Sequence, residues 1–381
     1  MADHILTTHV GSLPRPQDVC DVLFARERGE AVDAGKADAI ITTATMAALA
    51  RQRQTGIDLP SDGEMSKISY ATYIKERLSG FDGDSPRRVP ADLEAFAGFR
   101  ERLSRGGGTP TYRRPRCVGP IKVVNLKPLH DDIARMKAAM VAAGYTHGFM
   151  NSASPGVIAL FQPSDWHKTT EAYIGDLAEA MASEYEAIVA AGLMLQIDAP
   201  DLGLGRHMMY KGLDEQGFLR AAEMHVEALN HALRNVPGDK VRMHVCWGNY
   251  EGPHHLDVAL QAILPLVLRA KPRALLFEGA NPRHAHEWRV WQESRIPDDY
   301  VLIPGCLDST TDFIEHPELV AERIERCAAI VARDRVIAGT DCGFGTFAGY
   351  GAVDAEIAWT KLGALTQGAA IASRRLWGRA A

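Results

Sequence analysis

Residues 241–249, "VRMHVCWGN", decide how the rest of the chain reads. An apolar, β-branched run closed by Gly248 and Asn249 has the makings of a strand that ends in a turn. His244 and Cys246 lie two apart on it, so their side chains point to the same side. That pair can be a metal site, a nucleophile with its base, or two polar residues settled beside a core. The same construction recurs along the chain: "ILTTHVGSL" (5–13), "IDLPSDGE" (57–64), "HGFMNSASP" (147–155), "LMLQIDAPDL" (193–202), "ALLFEGAN" (274–281), "VLIPGCLDS" (301–309) and "RVIAGTDCGF" (335–344). Most of these runs are separated by segments of helical period. Tyr173, Leu177, Met181, Tyr185 and Ile188 stand three or four apart, and Leu319, Ile324, Cys327 and Val331 repeat the pattern. Eight strands alternating with helices predict an α/β protein, a (β/α)8 TIM barrel, although a doubly wound open sheet gives a similar string. Residues 1–381 then form a single catalytic domain. One segment breaks the rhythm, an excursion of about 80–124 after the second strand, rich in Gly, Pro and Arg. It is expected to carry one short helical stretch and to end in a hairpin around "RCVGPIKVV" (116–124).

Composition narrows the functional classes. A chain of 381 residues with 46% hydrophobic content can bury one large core. Its net charge of -6 offers no basic face to nucleic acid, so a small-molecule partner is expected. No run of about 18 apolar residues occurs, and the N-terminal stretch lacks the pattern of a signal peptide, so neither a membrane nor export is expected and a soluble cytoplasmic protein is the default. A homo-oligomer is left open. Six cysteines, at 20, 117, 246, 306, 327 and 342, are too scattered for a disulfide framework.

Chemistry collects at the strand ends, which carry Ser12, Glu64, Ser154, Asp198, His244 with Cys246, Glu278, Asp308 and Cys342. In a barrel of parallel strands those ends converge on one face, where active sites lie. His244, Cys246, Glu278 and Cys342 supply a histidine, a carboxylate and two thiols, a mixture that Zn2+ accepts in tetrahedral geometry. The plainer alternative makes them satisfied core residues with Glu278 in a salt bridge.

"THVGSLPRP", "LPSDGEMSK", "LQIDAPDL", "HVCWGN", "FEGAN", "IPGCLDS" and "GTDCGF", in that order, resemble the motifs of the catalytic barrel of cobalamin-independent methionine synthases. The resemblance covers nearly the whole chain and matches the C-terminal of that family's two barrels. "CWGNYEGPHH" and "CLDSTTDFIEHPEL" look closer to a short-chain branch that includes epoxyalkane:coenzyme M transferases. The resemblance implies a zinc that activates a small thiol for alkylation, with His244, Cys246, Glu278 and Cys342 at the ligand positions. It also implies an amino-thiol pocket of Ser12, Glu64 and Asp198, the two carboxylates holding the ammonium, and places Phe161 where a tryptophan stacks on pterin. Two departures bear on the alkyl donor. Leu204, with Ala199, replaces acidic positions, one of them a folate contact. Thr310 stands two residues after Asp308, where the family has a proton-donating histidine, and leaves His316 as the substitute acid. A donor other than methylfolate, such as a methylcorrinoid or an epoxide, is therefore expected. A zinc hydrolase and a silent zinc-binding protein are the competing readings. Arg15 and Lys67 are candidates to pair with an acid group on the thiol, and His254, His255, His284 and His286 read mostly as solvated loop residues.

Overall fold

A computed structural model describes residues 3–86, 88–106 and 112–378. Nine strands occur among them: β1 (Leu6–Thr7), β2 (Phe81–Asp82), β3 (Arg116–Cys117), β4 (Phe149–Ala153), β5 (Met194–Asp198), β6 (Val241–Val245), β7 (Ala274–Phe277), β8 (Val301–Pro304) and β9 (Ile337–Ala338). Strands β4 to β8 form one parallel sheet in chain order, each joined to the next through a helix-bearing crossover. Four of these five strands are buried along nearly their whole length, as a parallel sheet covered on both faces demands. The register sets Asp198 beside His244 and His244 beside Leu276, so the chemistry-bearing residues of β5 and β6 lie at one level.

The sheet continues past β8 through parallel bridges from Leu302 to Val336 and from Gly305 to Gly339, and β9 pairs in parallel with β1. Beyond β1, the Thr7 carbonyl accepts from the amides of Asp58 and Leu59 at 3.2 and 3.0 Å, and Pro60 O accepts from Phe149 N of β4 at 2.9 Å. The run 57–64, expected as the second strand, forms no ladder. Pro60 has no N–H to give one, and Gly63 and Glu64 turn into the left-handed region at φ 69° and 57°.

The long helices follow their sequence signals. Thr170–Ala190 starts on a Thr169 side chain that accepts from Ala172 N, and buries Tyr173, Leu177, Met181, Tyr185 and Ile188. Pro317–Val331 and Ala355–Trp377 pack on each other, the first against β8 and the second against β1. No helix among the described residues is long and apolar enough to cross a membrane.

The excursion differs from its expected form. Its strand pairing is not a local hairpin at 116–124. Instead β2 runs antiparallel to β3, Leu78 bridges Val123, and Ser79 N donates to Lys122 O, so both ends of the excursion are tied together at its base. Gly80 is needed there, because a Cβ on it would lie 2.6 Å from the Gly119 carbonyl. The segment between carries a short 3-10 turn at Ala91–Leu93 as well as the helix Ala97–Gly106.

Candidate active site

The carboxyl ends of β5, β6 and β9 meet at the floor of a cavity of about 620 Å³. Strand β6 delivers His244 and the residue after its end delivers Cys246, while the turn after β9 delivers Cys342. All three are buried, and one donor atom from each lies within 4.8 Å of the others. Cys342 Sγ stands 3.6 Å from His244 Nε2. The hydrogen bond between the two thiols pulls the Cys246 pKa down and pushes that of Cys342 well up, as expected of two sulfurs sharing one proton. Gly248 N donates to Cys246 Sγ at 3.2 Å and favours the thiolate. His244 is held neutral by burial, and its Nδ1 has no hydrogen-bond partner.

Glu278 is placed beside this cluster rather than within it. It is buried directly after β7, accepts from Trp247 N at 2.8 Å and Asn281 Nδ2 at 2.7 Å, and burial together with the nearby Cys246 raises its pKa well above the usual range. Three of the four expected ligands therefore converge, and Glu278 stands outside that group while feeling the charge of Cys246.

The donor set fits zinc. In tetrahedral coordination, bonds of about 2.3 Å to sulfur and about 2.0–2.1 Å to nitrogen leave the two ligand atoms about 3.6 Å apart. The Cys342–His244 separation of 3.6 Å already has that value.

Ser12, Glu64 and Asp198 line the same cavity. Asp198 accepts from Asn151 Nδ2 at 2.9 Å and Gln196 Nε2 at 2.8 Å, which fixes its orientation, and burial raises its pKa to about 6. Beneath it Arg242 lies over the Phe149 ring at 3.4 Å and donates to Gln196, Thr8 and the His9 carbonyl. Glu64 keeps a left-handed backbone at φ 57°, a strained choice for a side-chain-bearing residue, held by Arg15 Nε and Lys67 N donating to its carbonyl. Its Oε2 is buried without a hydrogen bond, 3.8 Å from Arg15 Nη2, and burial raises its pKa against the pull of Lys67 and Arg15. Ser12 packs so tightly on the Cys342 turn that a Cβ at Gly343 would fall 2.0 Å from its Oγ.

Phe161 forms part of the cavity wall with Tyr70, their rings edge to face at 6.4 Å. Leu204 and Thr310 also line it. Asp308 is buried beside Thr310 and accepts from its amide and its hydroxyl at 2.8 and 2.7 Å. His316 is exposed, caps the helix Pro317–Val331 by accepting from Glu318 N, and does not line the cavity.

The candidates for pairing with an acid group on the thiol lie elsewhere. Lys67 is buried with Nζ on the Asn151 carbonyl, and Arg15 lies under Glu64, so neither lines the cavity. Among the described residues its arginines are Arg88, Arg100, Arg102 and Arg114, all from the excursion. Of the loop histidines, His255 and His286 are exposed as expected, whereas His284 is buried and His254 half-buried. They and His207 surround the Asp257 carboxylate at 3.0–3.1 Å, an arrangement that raises the His207 pKa to about 9 and that of His284 to about 10. His284 also stacks on Trp247 at 4.2 Å, next to Cys246. Asn249 ties three strand ends together through Gly343 O, Thr346 and Ser309.

The family model described as "Cobalamin-independent synthase, Catalytic domain" matches residues 124–357, more than half of the chain. The chain belongs to this family. Among its relatives, the methionine synthase of Sulfurisphaera tokodaii is 26% identical over 340 residues, which cover 88% of this chain and 85% of that one. A methionine synthase of Saccharolobus islandicus is 26% identical over 376 residues, 97% of this chain and 95% of that one. Among solved structures, a B12-independent methionine synthase of a Shewanella species, in complex with selenomethionine, superposes with a TM-score of 0.75 at 18% identity and covers 98% of this chain and 99% of that one. A putative vitamin-B12-independent methionine synthase of Listeria monocytogenes gives 0.63 at 20% identity, with 96% and 98% covered. These two likenesses concern the fold.

Proposed function

We propose that this family member is a zinc-dependent transferase that alkylates a small amino thiol, with methyl transfer to homocysteine as its leading form, on a closed (β/α)8 barrel. The observation that carries the reading is the buried His244–Cys246–Cys342 cluster opening into the same cavity as Asp198 and Glu64. Zinc bound by His244, Cys246 and Cys342, with the Glu278 carboxylate alongside, would supply the charge that keeps an incoming thiol ionised. The remaining work falls to the chain's own groups. Asp198, aimed by Asn151 and Gln196, and Glu64, whose Oε2 makes no hydrogen bond and lies 3.8 Å from Arg15 Nη2, bind the ammonium. Pro200, Leu204 and Phe161 keep water from the reacting sulfur. Two thiols in the donor set disfavour hydrolysis, for which zinc sites more often use histidines, a carboxylate and an open water position.

The donor reading rests on the cavity's proton inventory. His244 is the sole histidine among the described lining residues; of the lining phenols, Tyr250 gives its proton to Asp92 at 2.7 Å, and burial raises the pKa of Tyr70 and of Tyr350. A pterin amine needs an acid to leave; a corrinoid does not, and a strained epoxide needs only a weak one, such as a lining tyrosine or water, since the Thr310 hydroxyl is already given to Asp308 at 2.7 Å. Thiol addition to an epoxide is thus the second reading. The zinc-loaded protein should be assayed with homocysteine and coenzyme M against methylcobalamin, methyltetrahydrofolate and epoxypropane. Alkylated homocysteine, abolished by Cys342→Ser, is expected. Activity confined to coenzyme M and indifferent to Glu64→Gln would favour the epoxide branch, and turnover without any thiol would overturn the reading.

A further inference from the structure

The cavity has two walls of opposite charge. Its floor holds the carboxylates of Glu64 and Asp198, whereas Arg88, Arg100, Arg102 and Arg114 line it from the excursion. Among the described residues none of these four guanidinium groups forms an ion pair with a carboxylate, although 48 acidic residues give the chain a net charge of -6. Glu251, also on the lining, pairs with none of them. The contacts they do make leave charge to spare. Arg114 is only 8% exposed, yet its side chain has just the Tyr112 hydroxyl at 3.4 Å and the rings of Tyr112 and Phe161 at 5.6 and 5.5 Å. Arg88 donates to the Leu160 carbonyl at 3.3 Å, one residue from Phe161, and Arg102 lies over the Phe99 ring. Arg114 is the buried one, and a buried guanidinium without a counter-ion is costly; Arg88, Arg100 and Arg102 are exposed and add like charge around the same cavity. Such an arrangement persists where an anion is to be bound.

Resting on the transferase reading above, we propose that Arg88, Arg100, Arg102 and Arg114 form a subsite for an oxyanion group carried by the alkyl donor. Assignment to the donor follows from space and sign. A small amino thiol is placed by its ammonium at the acidic floor, and it fills a fraction of a cavity of about 620 Å³, a size typical of sites for much larger ligands. The arginines come from another element, and Phe161, beside Arg114 and Arg88, offers a flat apolar surface between the two charged regions.

Inorganic pyrophosphate serves as the probe, in calorimetric titrations of the full chain at low and physiological salt. Saturable binding is expected, weakening with salt and dropping roughly tenfold or more in Arg100→Ala/Arg102→Ala, two exposed positions whose loss should leave folding intact. Arg114→Lys keeps the charge but removes the fork, and should weaken binding less than the double variant. Cys246→Ser should bind the probe as well as the unaltered protein, which separates this subsite from the metal cluster and from the success of the thiol chemistry. A bound homocysteine should leave pyrophosphate binding intact. Equal affinity in the double variant and the unaltered protein, loss of binding in Cys246→Ser, or mutual exclusion of pyrophosphate and homocysteine would each overturn the proposal.

Discussion

Asp198 concentrates the site's chemistry in one side chain. Burial lifts its pKa to about 6 while Asn151 and Gln196 pull the other way by bonding the carboxylate. The ionised form, which an ammonium requires, is complete above that value and is lost as pH falls through it. Affinity for the amino thiol should therefore fall through about pH 6, and Asp198→Asn should remove both the pH step and roughly 1.5–3 kcal/mol of binding, about 10- to 150-fold in Kd. Isothermal titration with homocysteine between pH 5 and 8 reads both; an unchanged affinity across that range would remove Asp198 from the amine site. At this scale the sequence was informative for the polar residues that close its apolar runs. Ser12, Glu64, Asp198, His244, Cys246 and Cys342 all reach the cavity. It misled for His316, because a histidine before Pro317 also serves as a helix cap, and a cap faces its own helix. It missed Asn249 and the Asp257 histidine cluster, whose partners lie far away in the chain.

Among the elements, the strand-end turns depend on one another. Asp341, just ahead of Cys342, accepts from the amides of Gly279, Ala280 and Asn281 at 2.8–2.9 Å and thereby clamps the turn that carries Glu278. Gly305 passes beneath it so closely that a Cβ would lie 1.9 Å from Asp341 Oδ1. Asp341→Ala strands three amides in a buried turn and should cost roughly 2–5 kcal/mol in urea unfolding. A loss below about 0.5 kcal/mol would mean that the turn holds itself. The ladders from β4 to β8 were legible because each strand is a short run rich in apolar residues closed by turn residues, continuous in β7 and β8 and interrupted by buried polar groups such as Asn151, Gln196 and Arg242 in β4 to β6. The run 57–64 was misread as a strand for the same reason: its apolar start looks like its neighbours, but Pro60 and the left-handed pair Gly63–Glu64 decide the backbone.

For the whole molecule, the excursion is the part that sequence periodicity could not place. Its docking rests on single polar anchors: fully buried Asp92 accepts from the Tyr250 hydroxyl and the His254 amide, and Ala91 N donates to His207 O. None of these contacts has a period to detect. Through them the excursion becomes a wall of the cavity and brings its arginines to face the floor. The metal cluster depends on the same long-range closure, since His244 and Cys342 are 98 residues apart and meet only when β6 and β9 share one face. Binding an ion there would draw on the folding of the sheet as a whole.

The central claim is that these strand ends hold a zinc that receives the substrate thiol, and zinc-edge X-ray absorption with metal analysis tests it most directly. One zinc per chain is expected, bound by two sulfurs and one nitrogen with a light fourth ligand, gaining a third sulfur when homocysteine is added and falling below half occupancy in Cys246→Ser and Cys342→Ser. Full occupancy in both variants, or a coordination sphere that no thiol alters, would contradict the account.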